Sequence, residues 1–172
     1  VERSEIRTDS GGAGKQRGGL GMWREVRLLD EEASYSVLSD RAVIPPYGIK
    51  GGGSAMPYKV SIIRGTEEIM FDTPGKVTGY PIRKNDVVVM RSAGGGGYGD
   101  PLERDPALVC ADIEKGYVSQ EKAQEQYGVI LNSSGELNVE MTSSCREALR
   151  AKRFHIPVRI DNALEYYTGK KG

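Results

Sequence analysis

Residues 22–29 (MWREVRLL) mix apolar and charged positions with a period near two, and residues 34–38 (SYSVL) alternate more cleanly. Asp30-Glu31-Glu32 lies between them, so the two are expected to pair as antiparallel neighbours across an acidic turn. Residues 59–63 and 67–71 flank Arg64-Gly65-Thr66, a three-residue hairpin loop with glycine available for the left-handed position. Pro74-Gly75 turns the chain again. Asn85-Asp86 then precedes Val87-Val88-Val89-Met90, an unbroken apolar run of the kind buried on both faces of a sheet.

The period changes beyond Gly99. Asp105 as N-cap and Pro106 at the first helical position open a helix that is expected to reach about Lys115 and stop at Gly116. Ser119 caps a second helix, QEKAQEQY, ended by Gly128. Residues 129–131 and 136–141 are expected as two more strands around the turn Asn132-Ser133-Ser134-Gly135. Ser144 with Glu147 forms a capping-box pattern for a third helix to about Arg153. The fold class is therefore α+β: a glycine-rich antiparallel β-barrel or sandwich followed by a short helical C-terminal segment. Its expected division is a β domain over 1–104, a helical or mixed segment over 105–160, and a flexible tail over 161–172.

Composition narrows the chemistry. The 172 residues carry 24 basic and 24 acidic side chains, a balance that argues against a nucleic-acid or membrane-surface binder. No apolar run approaches the roughly 18 residues of a membrane span. Cys110 and Cys145 fall in helical stretches and read as reduced packing residues of a cytoplasmic protein. A single histidine, His155, and the lack of any CxxC argue against a self-contained zinc site or a Ser-His-Asp triad, so no metal ligand is assigned. The chain opens on Val1-Glu2-Arg3-Ser4, which has no leader character, and is expected to be a processed or truncated piece of something longer.

Glycine is the outlier, with 23 residues, about twice its usual share. The first cluster holds Gly11, Gly12 and Gly14 before Lys15. It fails as a P-loop, because Gln16 stands where Ser or Thr should ligate magnesium and a strand follows instead of a helix. The second, Gly51-Gly52-Gly53-Ser54 after Pro45-Pro46-Tyr47-Gly48, reads as a flexible loop. The third holds Gly94, Gly95, Gly96, Gly97 and Gly99. It contains GxGxxG, but Asp100-Pro101-Leu102-Glu103-Arg104 intervenes before the next helix and the βαβ context is missing. A tight crossing of backbones, which a missing Cβ permits, explains each cluster without a ligand.

Asp9, Asp40, Arg41, Asp100, Arg104 and Asp105 sit at strand ends or glycine turns. They are either structural ion pairs and caps, or the polar parts of loops that converge on a shared site or interface. Arg146, Arg150, Lys152 and Arg153 read as a solvated helix face, or, with Phe154 and Ile156, as a docking surface for another subunit. His155 reads as a local hydrogen-bonding residue.

Several motifs occur together in a fixed order: DSGGAGKQRGGLG over 9–21, LSDR over 38–41, PPYGIKGG over 45–52, GGGGYGDPLERDP over 94–106, GYVSQEKA over 116–123 and YGVIL over 127–131. On these the chain resembles the hydantoinase B/oxoprolinase family from about Arg7 to Leu131. Subunits of that family are longer, so the resemblance implies a C-terminal portion or a small split subunit. It also implies a hydantoinase A-type partner that binds ATP on an actin-like fold, together with the remaining N-terminal part of the hydantoinase B-type chain.

The implied reaction is ATP-dependent hydrolysis of a cyclic amide such as a hydantoin or 5-oxoproline. The alternative is carboxylation of a ketone, as in the related acetone and acetophenone carboxylases, and a second alternative is a non-catalytic structural subunit. ATP and a divalent metal, magnesium or manganese, are expected in the complex but outside this chain. Asp9, Lys15, Arg17, Asp100 and Arg104 are the candidates for a substrate channel or interface, on loops built by Gly11, Gly12, Gly14, Gly94, Gly95, Gly96, Gly97 and Gly99. No catalytic residue is assigned.

Overall fold

The computed structural model describes residues 1–153. The expected tail over 161–172, with Phe154, His155 and Ile156, lies outside the described residues. Seven strands form: β1 (Arg3–Ile6), β2 (Met22–Arg27), β3 (Glu32–Leu38), β4 (Lys59–Arg64), β5 (Glu67–Met70), β6 (Lys76–Arg83) and β7 (Val87–Arg91). Three helices follow: α1 (Pro106–Glu114), α2 (Gln120–Tyr127) and α3 (Val139–Arg153), with a 3-10 turn at Pro101–Glu103. Antiparallel sheets followed by helices make the class α+β.

The apolar run of β7 takes the middle of a five-stranded sheet ordered β1-β2-β7-β4-β5, where β-branched residues lose water on both faces. Val88 and Met90 project to one face, where Val60, Ile62 and Ile69 meet Tyr35, Val37, Tyr80 and Ile82 of a separate β3-β6 ribbon. Val89 and Ser61 on the other face are also fully buried. That face carries Trp23, stacked between the guanidiniums of Arg3 and Arg91 at 3.9 and 4.2 Å. The β4-β5 hairpin forms as its loop predicts, with Gly65 at φ 61°.

Three expectations are corrected. The sheet does not close into a barrel, since β1 and β5 are its two edges. The segments at 22–27 and 32–38 are not paired with each other: β2 sits between β1 and β7, while β3 pairs with β6. Alternation marks a strand but says nothing about a partner fifty residues away. The strand expected over 136–141 does not form: residues 139–141 open α3, whose first turn is capped by Asn138 Oδ1 accepting from Met141 N at 3.0 Å. Residues 129–131 contribute only an isolated bridge between Leu131 and Leu137.

The first two helices close as their caps predict, whereas α3 starts at Val139 and takes the expected cap Ser144 into its interior. Asp105 accepts from Ala107 N, Ser119 accepts from Lys122 N, and Gly128 ends α2 in the left-handed region at φ 63°. Their core unites Val109, Val118, Ala123, Tyr127 and Val129 with Ala13, which comes from the first glycine segment.

One buried group is left unsatisfied between the layers. Tyr35 Oη has no hydrogen-bond partner, and burial pushes its phenol up to about 12. A buried hydroxyl with no partner costs about 1–3 kcal/mol. Tyr35→Phe is therefore expected to leave stability unchanged or raise it by up to about 1 kcal/mol. Urea unfolding checks this, and a clear loss would mean that the hydroxyl is bonded in solution.

Candidate functional site

The glycine clusters, far apart in sequence, meet as one backbone knot. Gly12 N donates to Gly95 O, Gly95 N to Gly19 O, Gly53 N to Ala13 O and Gly97 N to Gly53 O, at 2.6 to 3.0 Å. Gln16 and Tyr98 exchange both backbone bonds at 2.9 Å, and Ile49 N and Gly99 N close the third side. The segment containing Gly51-Gly52-Gly53, expected as a flexible loop, is thus the middle member of the knot, hydrogen-bonded on both sides.

Glycine is required because other backbones occupy the space of a side chain. A Cβ on Gly18 would lie 1.8 Å from Gly95 O, and one on Gly97 would lie 2.0 Å from Ala13 O. Gly11, Gly12, Gly14, Gly94 and Gly96 would each meet backbone within 2.6 Å. Gly95 has 3.1 Å, and Gly99 instead needs its positive φ of 75°.

Charged groups fasten this knot to the helices. Asp112 on α1 accepts Arg17 Nε at 3.0 Å and Arg17 Nη2 at 3.2 Å, and also Arg104 Nη2 at 2.9 Å. Arg104 Nη1 donates to Lys15 O at 3.2 Å, while its Nε is buried without a partner. All three side chains are at most 16% exposed, so Asp112 carries two guanidiniums in a largely desolvated setting. Beside them burial raises the Tyr127 phenol above its usual value.

The structure thus brings Arg17 and Arg104 together on a residue that sequence reasoning did not single out. The available signal was position: Asp112 follows Val109 by three residues, so it shares the inward face of α1. Asp9, at φ 60°, accepts from Ser119 N at 2.8 Å and ties the first glycine segment to the start of α2. Lys15 forms an exposed pair with Glu103 at 3.1 Å, and Asp100 Oδ1 accepts from Leu102 N at 2.8 Å. Asp9 and Asp100 do not reach the Asp112 cluster through any of these bonds.

The solvated-face reading of the basic helix is corrected at Arg146, which is half-buried, while Arg150 stays exposed. Arg146 donates from Nε to Tyr127 O at 2.9 Å and from Nη2 to Arg104 O at 2.7 Å, and Arg150 reaches Leu102 O at 3.4 Å. Carbonyls left open at the ends of short helical turns attract both guanidiniums.

Several apolar side chains stand exposed around the knot. Tyr47, Ile49 and Tyr98 are 64%, 55% and 52% exposed, and Arg41 stacks over Tyr47 at 5.8 Å. Val43 and Ile44 continue this surface into a cleft of about 380 Å³ with Ser39, Asp40, Arg41 and Lys76 on its walls. Among the described residues no group of three His, Cys, Asp or Glu side chains is placed to hold a metal ion, and no helix is long and apolar enough to cross a membrane. The arrangement supplies a wall of closely packed backbone with exposed apolar and aromatic side chains at Tyr47, Ile49 and Tyr98.

Known proteins share this architecture. Residues 1–101 match the family model described as Hydantoinase B/oxoprolinase. The caprolactamase subunit beta of Pseudomonas jessenii is 32% identical over 150 residues, covering 86% of this chain and 26% of that subunit. The crystal structure of the ATP-dependent caprolactamase from the same organism superposes with a TM-score of 0.71 at 30% identity, over 86% of this chain and 26% of that one. Nucleotide-free acetone carboxylase gives a TM-score of 0.75 at 23% identity, over 94% of this chain and 26% of that one, a likeness of fold. The chain spans about a quarter of the length of these relatives.

Two substitutions test the knot. Gly97→Ala is expected to cost about 3 kcal/mol or more, because its Cβ meets a backbone carbonyl that cannot yield. Gly19→Ala, where nothing lies within 4 Å, is expected to stay within about 1 kcal/mol of the parent. Equal losses in denaturant melts would show that packing is not what demands glycine. Asp112→Asn, which strips the charge from between two desolvated guanidiniums, should cost roughly 3 kcal/mol by the same measurement.

Proposed function

The chain belongs to the hydantoinase B/oxoprolinase family, and we propose that it works as one part of an ATP-dependent enzyme that opens a cyclic amide. The observation that carries this reading is the match of residues 1–101, because that stretch contains all three segments of the glycine knot. In this reading a hydantoinase A-type subunit binds ATP and a divalent metal. The remaining, N-terminal part of the hydantoinase B-type chain seats on the apolar exterior around Tyr47, Ile49 and Tyr98. Phosphoryl transfer to the amide oxygen makes the carbonyl carbon a better electrophile for water.

This chain contributes the wall against which the other parts close. Asp9, Arg17 and Arg104 hold that wall in shape, while Lys15 and Asp100 belong to its outer contact with the rest of the enzyme. The assembly is expected to work in the cytoplasm.

Co-expression of this chain with a hydantoinase A-type subunit and the N-terminal part of a hydantoinase B-type chain tests the reading. Release of ADP is then followed with hydantoin, 5-oxoproline and caprolactam. Cyclic-amide-dependent ATP hydrolysis is expected only with all three components, falling about a hundredfold or more when this chain is omitted. ATP turnover that instead requires a ketone and bicarbonate would transfer the chain to the carboxylases. Undiminished turnover without it would remove it from the enzyme.

A further inference from the structure

On the sheet side of the knot lies a second cavity, of about 220 Å³, bounded by Arg7, Pro57, Tyr58, Val60, Met70 and Phe71. Its walls are apolar and aromatic, with cations from Arg7 and Lys59 and no Asp or Glu. Arg7 is held in place from one side only: Nη1 donates to Pro57 O at 2.8 Å and to Ser92 O at 3.2 Å. Among the described residues Arg7 has no carboxylate within 4 Å, unlike Arg91 nearby, which pairs with Glu68 at 3.4 Å.

We propose that this cavity binds a small monocarboxylate with an apolar body, its carboxylate on the Arg7 guanidinium and its body against Tyr58, Val60, Met70 and Phe71. The charge pattern selects an anion, because a partly buried guanidinium gains most from a carboxylate that its fork can grip. The apolar lining then rejects a strongly hydrated anion such as phosphate, which would lose water on every side. Size excludes nucleotides: drug-sized ligands fill about 300–1,000 Å³, and this cavity is smaller. Burial and the neighbouring charge of Arg91 both lower the Arg7 pKa, in that order, and the negative charge of a bound carboxylate would act against both. This inference does not depend on the reaction proposed above.

Phenylacetate and its neutral isostere phenylacetamide are suitable probes, titrated into the full chain with binding read from backbone amide shifts. The carboxylate is expected to bind about tenfold or more tightly than the amide. It should move the resonances of Tyr58, Val60 and Phe71, and Arg7→Gln should abolish that preference while Arg7→Lys keeps part of it. Equal binding of acid and amide, shifts confined to other regions, or no response to phenylacetate overturns the proposal. A natively folded Arg7→Gln chain that still prefers the acid also overturns it. The acid-amide comparison on the unaltered chain decides the matter even where Arg7→Gln does not fold.

Discussion

The rest of the molecule depends on contact between bare backbones. Three segments approach so closely that a Cβ at Gly18, Gly94, Gly96 or Gly97 would sit within about 2 Å of another segment's carbonyl oxygen. Each glycine so ordered gives up roughly 0.5–1 kcal/mol relative to alanine in conformational entropy. The inter-segment hydrogen bonds and dense van der Waals contact offset that cost, and they leave no room for water or for alternative rotamers. The same logic puts glycine at the axis of collagen, where only a hydrogen fits between chains. A knot of this kind contains no side-chain chemistry. Its usefulness is positional, because whatever leaves it leaves with a fixed direction.

Two neighbouring layers exploit that. Gly21 leads directly into β2, and Arg91, the last residue of β7, lies three residues before Gly94, so adjacent strands of the sheet enter and leave the knot side by side. On the other side Ala13 plugs into the helical core, and Asp112 reaches back to Arg17 and Arg104. The polar contact is the more demanding of the two. An Asp between two guanidiniums at low exposure is stable only while all three stay in place, so it fixes the angle of α1 against the knot more sharply than apolar contact alone.

What could be read from the sequence was local. The β4-β5 hairpin, the caps Asp105, Ser119 and Gly128, and the central position of β7 each follow from a few adjacent residues, and the structure has them. Long-range pairing was not legible. The acidic turn before β3 suggested a hairpin with β2, while the true partner, β6, was concealed by Gly79 and Pro81 within the strand. Residues 136–141 (ELNVEM) alternate like a strand only because a capping asparagine falls between two apolar residues at the start of α3. The candidate loops were found by their glycines, but the residue that gathers two of their arginines was not. Asp112 lies inside a helix, where an acid is ordinarily read as solvent-facing.

The arginines make the same point about where charge goes in a glycine-rich fold. Backbones packed without side chains, and helices of eight or nine residues, leave many carbonyls with no partner inside their own element. Arg146 and Arg150 spend their donors on three of these, at Tyr127, Arg104 and Leu102, which is why α3 is fastened by polar contacts rather than by a broad apolar face. Arg7 does likewise at Pro57 and Ser92. Donation to a neutral carbonyl satisfies hydrogen bonding but leaves the positive charge uncompensated, whereas a carboxylate does both. At α3 the uncompensated charge lies near Asp105 and Asp100, which partly answer it. At Arg7 the charge that acts on it among the described residues is that of Arg91, so its preference for an anion is left unmet in a cavity whose walls, Lys59 apart, are largely apolar.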